Sequence, residues 1–213
     1  MHLLKLEHSA LVVSNGTGTL YVDPGSFTRP VPVPNGPAAV VISHEHADHW
    51  TPQQLDRILG GASGPVPIIG PEGVARAAHG YDVTVARAGE SLEASGFTLR
   101  FFGGRHAVIH RSIPVVDNLA VLVDGLLFHP GDSFTVPDDT RVDTLAVPAS
   151  APWLKASEFM DYVLAVRPKR SFAMHECINS EAGNRMAFER IKTTTEAGGG
   201  TFLPLRAGDE TDL

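Results

Sequence analysis

Cysteine is almost missing from this 213-residue chain: Cys177 stands alone, so no disulfide can form within it. A single thiol suits a reducing compartment. Long hydrophobic runs are missing too. No stretch of about 18 apolar residues occurs, which excludes a membrane-spanning helix. The first residues, Met1-His2-Leu3-Leu4-Lys5, carry neither the basic segment nor the apolar stretch and cleavage site of a secretory leader. Cytoplasmic residence is therefore expected. Basic clusters are equally scarce. The 17 Lys and Arg residues face 24 acidic ones, for a formal net charge of −7. The longest basic grouping, Arg167-Pro168-Lys169-Arg170, reads as a solvated helix end before a strand. Nucleic-acid binders carry a basic stripe, so neither long nucleic acids nor anionic membranes are expected as partners. Neither an internal repeat nor a linker is visible, so residues 1–213 are read as one domain.

What is present is a soluble, core-forming composition, 43% hydrophobic and 19% charged. Leu3 to Val13 reads as a strand, and Asn15-Gly16-Thr17-Gly18 turns the chain into a second strand, Thr19 to Val22, ending at Asp23. A proline-rich surface connection follows. Ala38 to Ile42 is a continuous apolar run, the mark of a strand buried on both faces. Thr51 and Pro52 open a helix that Gly60-Gly61 stops. Further strands are expected at 66–69, 83–86, 97–102, 119–123, 126–128, 144–147, 170–174 and 202–205. Gly103-Gly104 should end the strand at 97–102, and helices are expected at 71–79, 156–166 and 180–192. Mixed strands with interspersed helices argue for packed layers, helices outside.

The chemistry concentrates in His44-Glu45-His46-Ala47-Asp48-His49, four donors in six residues directly after the buried strand. Residues two apart in an extended loop face the same way. His44 and His46 can therefore grip one ion, while Asp48 and His49, beyond the bend, can face a second. Imidazole and carboxylate donors suit zinc, manganese or iron. His106, His129 and His175 also follow apolar strands, where sheet enzymes place their sites.

The pattern His-x-His-x-Asp-His after a hydrophobic strand resembles the signature of the metallo-β-lactamase superfamily. The other elements of that pattern occur in order: Asp23 in Tyr21-Val22-Asp23-Pro24-Gly25, His106 in Gly103-Gly104-Arg105-His106, Asp132 in Gly131-Asp132-Ser133, and His175. The resemblance implies an α+β fold, a four-layer αββα sandwich of two facing mixed sheets with helices outside. It implies two divalent metal ions, zinc foremost, with manganese or iron as alternatives. His44, His46 and His106 would hold one, Asp48, His49 and His175 the other, and Asp132 would bridge them. His110, four residues past His106, competes with it and reads better as a substrate neighbour; His129 would orient the loop of Asp132. His8, in Glu7-His8-Ser9-Ala10, is similar to a segment of the branch that includes ascorbate-phosphate lactonase-like proteins and N-acyl-phosphatidylethanolamine phospholipases, and would lie near the metals without binding them. Trp153 could wall the pocket. The implied activity is hydrolysis of a small ester-like bond (lactone, phosphodiester or thioester) by a metal-bridging hydroxide. Asp48 and Asp132 would orient that nucleophile, with His110 or His8 as proton donor or oxyanion contact. The alternative is an iron-dependent oxidoreductase of the same superfamily. A small-molecule substrate is expected, and homo-oligomerisation stays open.

Overall fold

The computed structural model describes residues 1–213. In chain order it has β1 (His2–Lys5), β2 (Leu11–Ser14), β3 (Thr19–Val22), β4 (Ala38–Val41), α1 (Pro52–Gly61), β5 (Ile68–Gly70), α2 (Glu72–Ala77), β6 (Val83–Val85), β7 (Ser91–Ala94), β8 (Phe97–Arg105), β9 (Asp117–Val123), β10 (Leu127–His129), β11 (Thr144–Pro148), α3 (Ala156–Val166), β12 (Arg170–Met174), α4 (Glu181–Ala197), β13 (Thr201–Phe202) and β14 (Glu210–Asp212). A 3-10 turn, Glu176–Ile178, follows β12.

The strands form two sheets of seven, ordered β14-β1-β2-β3-β4-β5-β6 and β13-β12-β11-β10-β9-β8-β7. Each sheet starts antiparallel and turns parallel from β3 onward in the first and from β10 onward in the second. Parallel neighbours need a crossover. After β4 and β5 those crossovers are α1 and α2, and after β11 and β12 they are α3 and α4.

Three apolar clusters define the layers. One lies between the sheets and joins Leu11, Val22, Val41 and Ile69 to Phe97, Phe101, Val121 and Phe172. The second packs Val40, Ile42 and Ile68 against Leu55 and Ile58 of α1 and Val74 of α2. The third packs Leu145, Val147 and Ala173 against Phe159 and Val163 of α3 and Ile191 of α4. Alternate residues of β4 serve the first two clusters, which is why the whole strand is apolar. The expected αββα order is thus the order observed.

Four local readings are corrected. Leu3 to Val13 is not one strand: β1 and β2 are antiparallel partners joined by a tight turn, closed by Leu6 N–H on Ala10 O (3.0 Å) and Ala10 N–H on Glu7 O (3.2 Å). His8 sits in that turn at φ 60°, not in a strand. Leu6 and Ala10 are buried all the same, so hydrophobicity alone does not mark the break. Gly103 and Gly104 do not end β8, which runs on to Arg105 because both glycines take positive φ while keeping register with Leu119 and Asn118. Strands β7 and β14 lie outside the expected set, and α4 continues past Lys192 to Ala197.

Candidate metal centre

Strand ends from both sheets, together with the β1–β2 turn, bring their polar residues to one place. The first sheet supplies His8, Asp23 and the 44–49 loop; the second supplies His106, Asp132 and His175. The 44–49 loop lies flush on the segment after β3. Ser26 N–H donates to Ala47 O (2.9 Å), and a Cβ added to Gly25 would fall 1.7 Å from Asp48 O. Only glycine allows that approach.

Most of the imidazoles are oriented by a hydrogen bond at Nδ1, which leaves Nε2 facing inward. The buried Asp23 carboxylate accepts from Ser43 N–H and Ser43 Oγ–H (both 2.7 Å) and from His49 Nδ1–H (2.7 Å). Ser43 Oγ, its proton committed to Asp23, accepts from His44 Nδ1–H at 3.0 Å. His106 Nδ1–H donates to Ala107 O (2.5 Å), and His175 Nδ1–H donates to Ser150 O (3.2 Å). Fixing one ring nitrogen in this way selects the tautomer and aims the other nitrogen.

The inward atoms form overlapping groups. His44, His46 and His106 offer nitrogens within 4.8 Å of one another; so do His8, His49 and His175; and His44, His49 and Asp132 form a third set. Asp132 reaches toward both imidazole groups. Its Oδ1 lies 3.1 Å from His49 Nε2 and 2.9 Å from His175 Nε2, and its Oδ2 lies 3.3 Å from His106 Nε2. Asp48 Oδ2 is 3.8 Å from His49 Nε2 and accepts a hydrogen bond from His8 Nε2 at 3.2 Å.

These residues fit a metal. Five buried polar atoms of this cluster have no hydrogen-bond partner in the protein: His8 Nδ1, His49 Nε2, His106 Nε2, His175 Nε2 and Asp132 Oδ1. Each such atom costs about 1–3 kcal/mol when left unsatisfied. The four on His49, His106, His175 and Asp132 are imidazole and carboxylate donors of the kind a divalent cation takes.

Electrostatics agree. Burial, reinforced by neighbouring imidazoles, holds His44 well below its ordinary value, and burial with the charge of His106 lowers His46, so both offer lone pairs. Burial pushes Asp132 up, but His175 and His49 outweigh it and keep the carboxylate ionised. Burial likewise opposes ionisation of Asp48, which the His8 hydrogen bond and the charge of His49 bring down to about 2. Burial works against protonation of His49, yet Asp132 and Asp23 on either side raise it well above the usual range. A cation taking His49 Nε2 would displace that proton.

Some residues lie elsewhere. His110 is not brought to the cluster. The loop after His106 carries it to the exposed surface, where its Nδ1 pairs with Ser112 Oγ (2.7 Å). His129 is buried beside Asp23; its Nδ1 accepts from Gly131 N–H (3.2 Å) and its Nε2 donates to Ser9 O (3.0 Å), bracing the Asp132 loop. Two supports of Asp132 were not singled out as such in the sequence. Trp153 Nε1–H donates to Asp132 Oδ2 (2.8 Å), and Asn118 Oδ1 accepts from Asp132 N–H (2.9 Å). Asn118 did leave a signal, an amide at the head of the apolar run 119–123.

Residues 2–175 match the family model described as a beta-lactamase superfamily domain. The chain belongs to the metallo-β-lactamase superfamily. A superfamily relative, Protein Rv0786c of Mycobacterium tuberculosis (strain ATCC 25618 / H37Rv), is 35% identical over 203 residues, covering 92% of this chain and 94% of that protein. Among solved structures, Igni18, a metallo hydrolase from the archaeon Ignicoccus hospitalis, superposes with TM-score 0.71 at 16% identity, over 99% of this chain and 97% of that one. CmlA, a diiron beta-hydroxylase from Streptomyces venezuelae, gives TM-score 0.73 at 14% identity over 100% of this chain but 54% of its own. At such identities these structures share the metallo-β-lactamase fold and carry no further argument. No helix in this member is long and apolar enough to cross a membrane.

Proposed function

We propose that this chain is a two-metal hydrolase that cleaves a small ester-like bond, a lactone, phosphodiester or thioester. The observation that carries the reading is Asp132, whose two carboxylate oxygens face different imidazole groups, Oδ1 toward His49 and His175 and Oδ2 toward His106. His44, His46 and His106 would hold one cation, and Asp48, His49 and His175 the other, with Asp132 shared. Zinc suits this set best, and manganese or iron is also compatible. Bound cations of this kind supply Lewis acidity and lower the pKa of water to about 7.

The protein's own part is placement and proton handling. Trp153 and Asn118 hold the Asp132 carboxylate and backbone, so its oxygens need not reorganise during a reaction. His8 donates through Nε2 to Asp48, which keeps that carboxylate pointed inward, and its Nδ1 is left as a free acceptor. His8 rather than His110 is therefore the imidazole suited to contact a substrate or move a proton. The expected partner is a small molecule, and the His8-Ser9-Ala10 turn supports the lactonase-like and phospholipase-like branch.

The test is metal-reconstituted protein assayed against lactones, phosphodiesters, thioesters and β-lactams, with metal content measured in parallel. Two equivalents of metal and turnover of one ester-like class are expected. A single tightly bound metal, or two metals with no turnover, would sink the reading. Oxygen uptake by the iron-loaded protein would favour the oxidoreductase alternative.

A further inference from the structure

We infer that the substrate is electrically neutral at its non-reacting end and carries an apolar body, an alkyl or aryl group, seated against Phe27, Ile109, Trp153 and Ile178. This rests on the hydrolase reading above and narrows it to substrates whose only charge, if any, lies at the bond that is cleaved. The donor cluster opens into a pocket of about 570 Å³, the size of a small-molecule site. His8, His46, Asp48, His106, Asp132 and His175 make its floor; the four residues above, with Ala47 and Pro152, make much of its wall.

No Lys or Arg lines this pocket. Sites that hold carboxylates or phosphates away from the reacting centre use guanidinium or ammonium groups, and here, beyond the donor cluster, a second anionic group would meet apolar wall and one hydroxyl, that of Ser26. Phe27 and Ile178, 47% and 46% exposed, set large apolar side chains beside a polar centre. Their placement is built in. Phe27 stands edge-on to His8, ring centroids 5.0 Å apart. Ile109 lies three residues past His106, and Ile178 three past His175. Each wall residue thus shares a loop or a ring contact with a donor, so the apolar surface is in fixed register with the reacting centre. A larger hollow along α3 and α4, about 650 Å³ and lined by Met160, Met186 and Arg190, has no such donors.

Two series on zinc-loaded protein test this. Alkyl hydroxamates from acetyl to octanoyl should bind with Kd falling about fourfold per methylene over the first several carbons, and p-nitrophenyl acyl esters should show the same slope in kcat/KM. Phe27→Ser combined with Ile178→Ser should flatten both slopes to less than twofold per methylene, whereas Met186→Ser, outside the pocket, should leave them steep. Kd independent of chain length overturns the inference, as does faster turnover of mono-p-nitrophenyl adipate, with a carboxylate at its far end, than of p-nitrophenyl hexanoate. A steep Kd series with no ester turned over would retire the hydrolase reading and leave the apolar pocket standing.

Discussion

Asp132 shows how one side chain comes to depend on several parts of the fold. Its oxygens face three imidazoles, its Oδ2 accepts from Trp153, and its backbone N–H is held by Asn118. Supports of this kind around a ligand typically govern about 10–100-fold in metal affinity or activity. Trp153→Phe, which keeps the ring and removes the N–H, should therefore weaken metal binding or kcat/KM by about 10–100-fold with the melting temperature of the metal-free protein little changed. Metal titration with a competing chelator reads it out, and an unchanged affinity and rate would refute the role. The donors themselves were legible because they sit in short local patterns: four of them in one six-residue loop, the rest just past apolar strands. Their supports were not, since Trp153 and Asn118 meet Asp132 only through tertiary packing. Closeness of His110 to His106 in sequence likewise says nothing of the direction in which the loop turns, and here it turns to the exposed surface.

At the level of elements, the site depends on two loops lying flush. Gly25, after β3, is covered by the peptide of Asp48 and His49, with Asp48 O 1.7 Å and His49 N 2.6 Å from where a Cβ would be. Gly25→Ala must push the ligand loop outward. Overpacking of this sort costs roughly 1–3 kcal/mol, and against rigid backbone the upper end is expected, together with loss of metal stoichiometry. Urea unfolding and metal analysis check it; a variant with wild-type stability and metal content would show that the loop yields freely. Helix starts and the buried β4 were readable from capping and composition, as Thr51 accepting from Gln54 N–H illustrates. The β1–β2 turn was not, because its residues are as apolar and as buried as the strands it joins. The short β14 has no apolar residue and β7 only Leu92 and Ala94, too little to mark a strand; they exist by pairing with β1 and β8.

Across the whole molecule, the two sheets are tied at the site by more than the apolar layer. Leu119 N–H donates to Ser43 O (2.8 Å) and His175 N–H to His8 O (3.0 Å), each crossing from one sheet to the other. Beside them the fully buried Lys5 of β1 places its Nζ 2.6 Å from Glu176 Oε1, just beyond β12. Removing one member of a buried pair strands the other charge, at a cost of about 3–5 kcal/mol. Because Glu176 keeps some access to water, the lower end applies to Lys5→Met. The double variant Lys5→Met/Glu176→Gln should be more stable than Lys5→Met alone, since no charge is then left unpaired. A double variant as unstable as the single one, by urea denaturation, would show that the pair does not join the sheets energetically.

The spread of the donors along the chain has a consequence for biogenesis. The candidate ligands run from His44 to His175 and come from both sheets. A ribosome-bound chain that has emerged only through β6 holds the first loop but neither Asp132 nor His175, so it presents weak, incomplete chelation. On the two-metal proposal, high-affinity capture of metal would wait until the second sheet has docked. Cofactor loading would then serve as a checkpoint on completed synthesis, and a truncated product would be released empty.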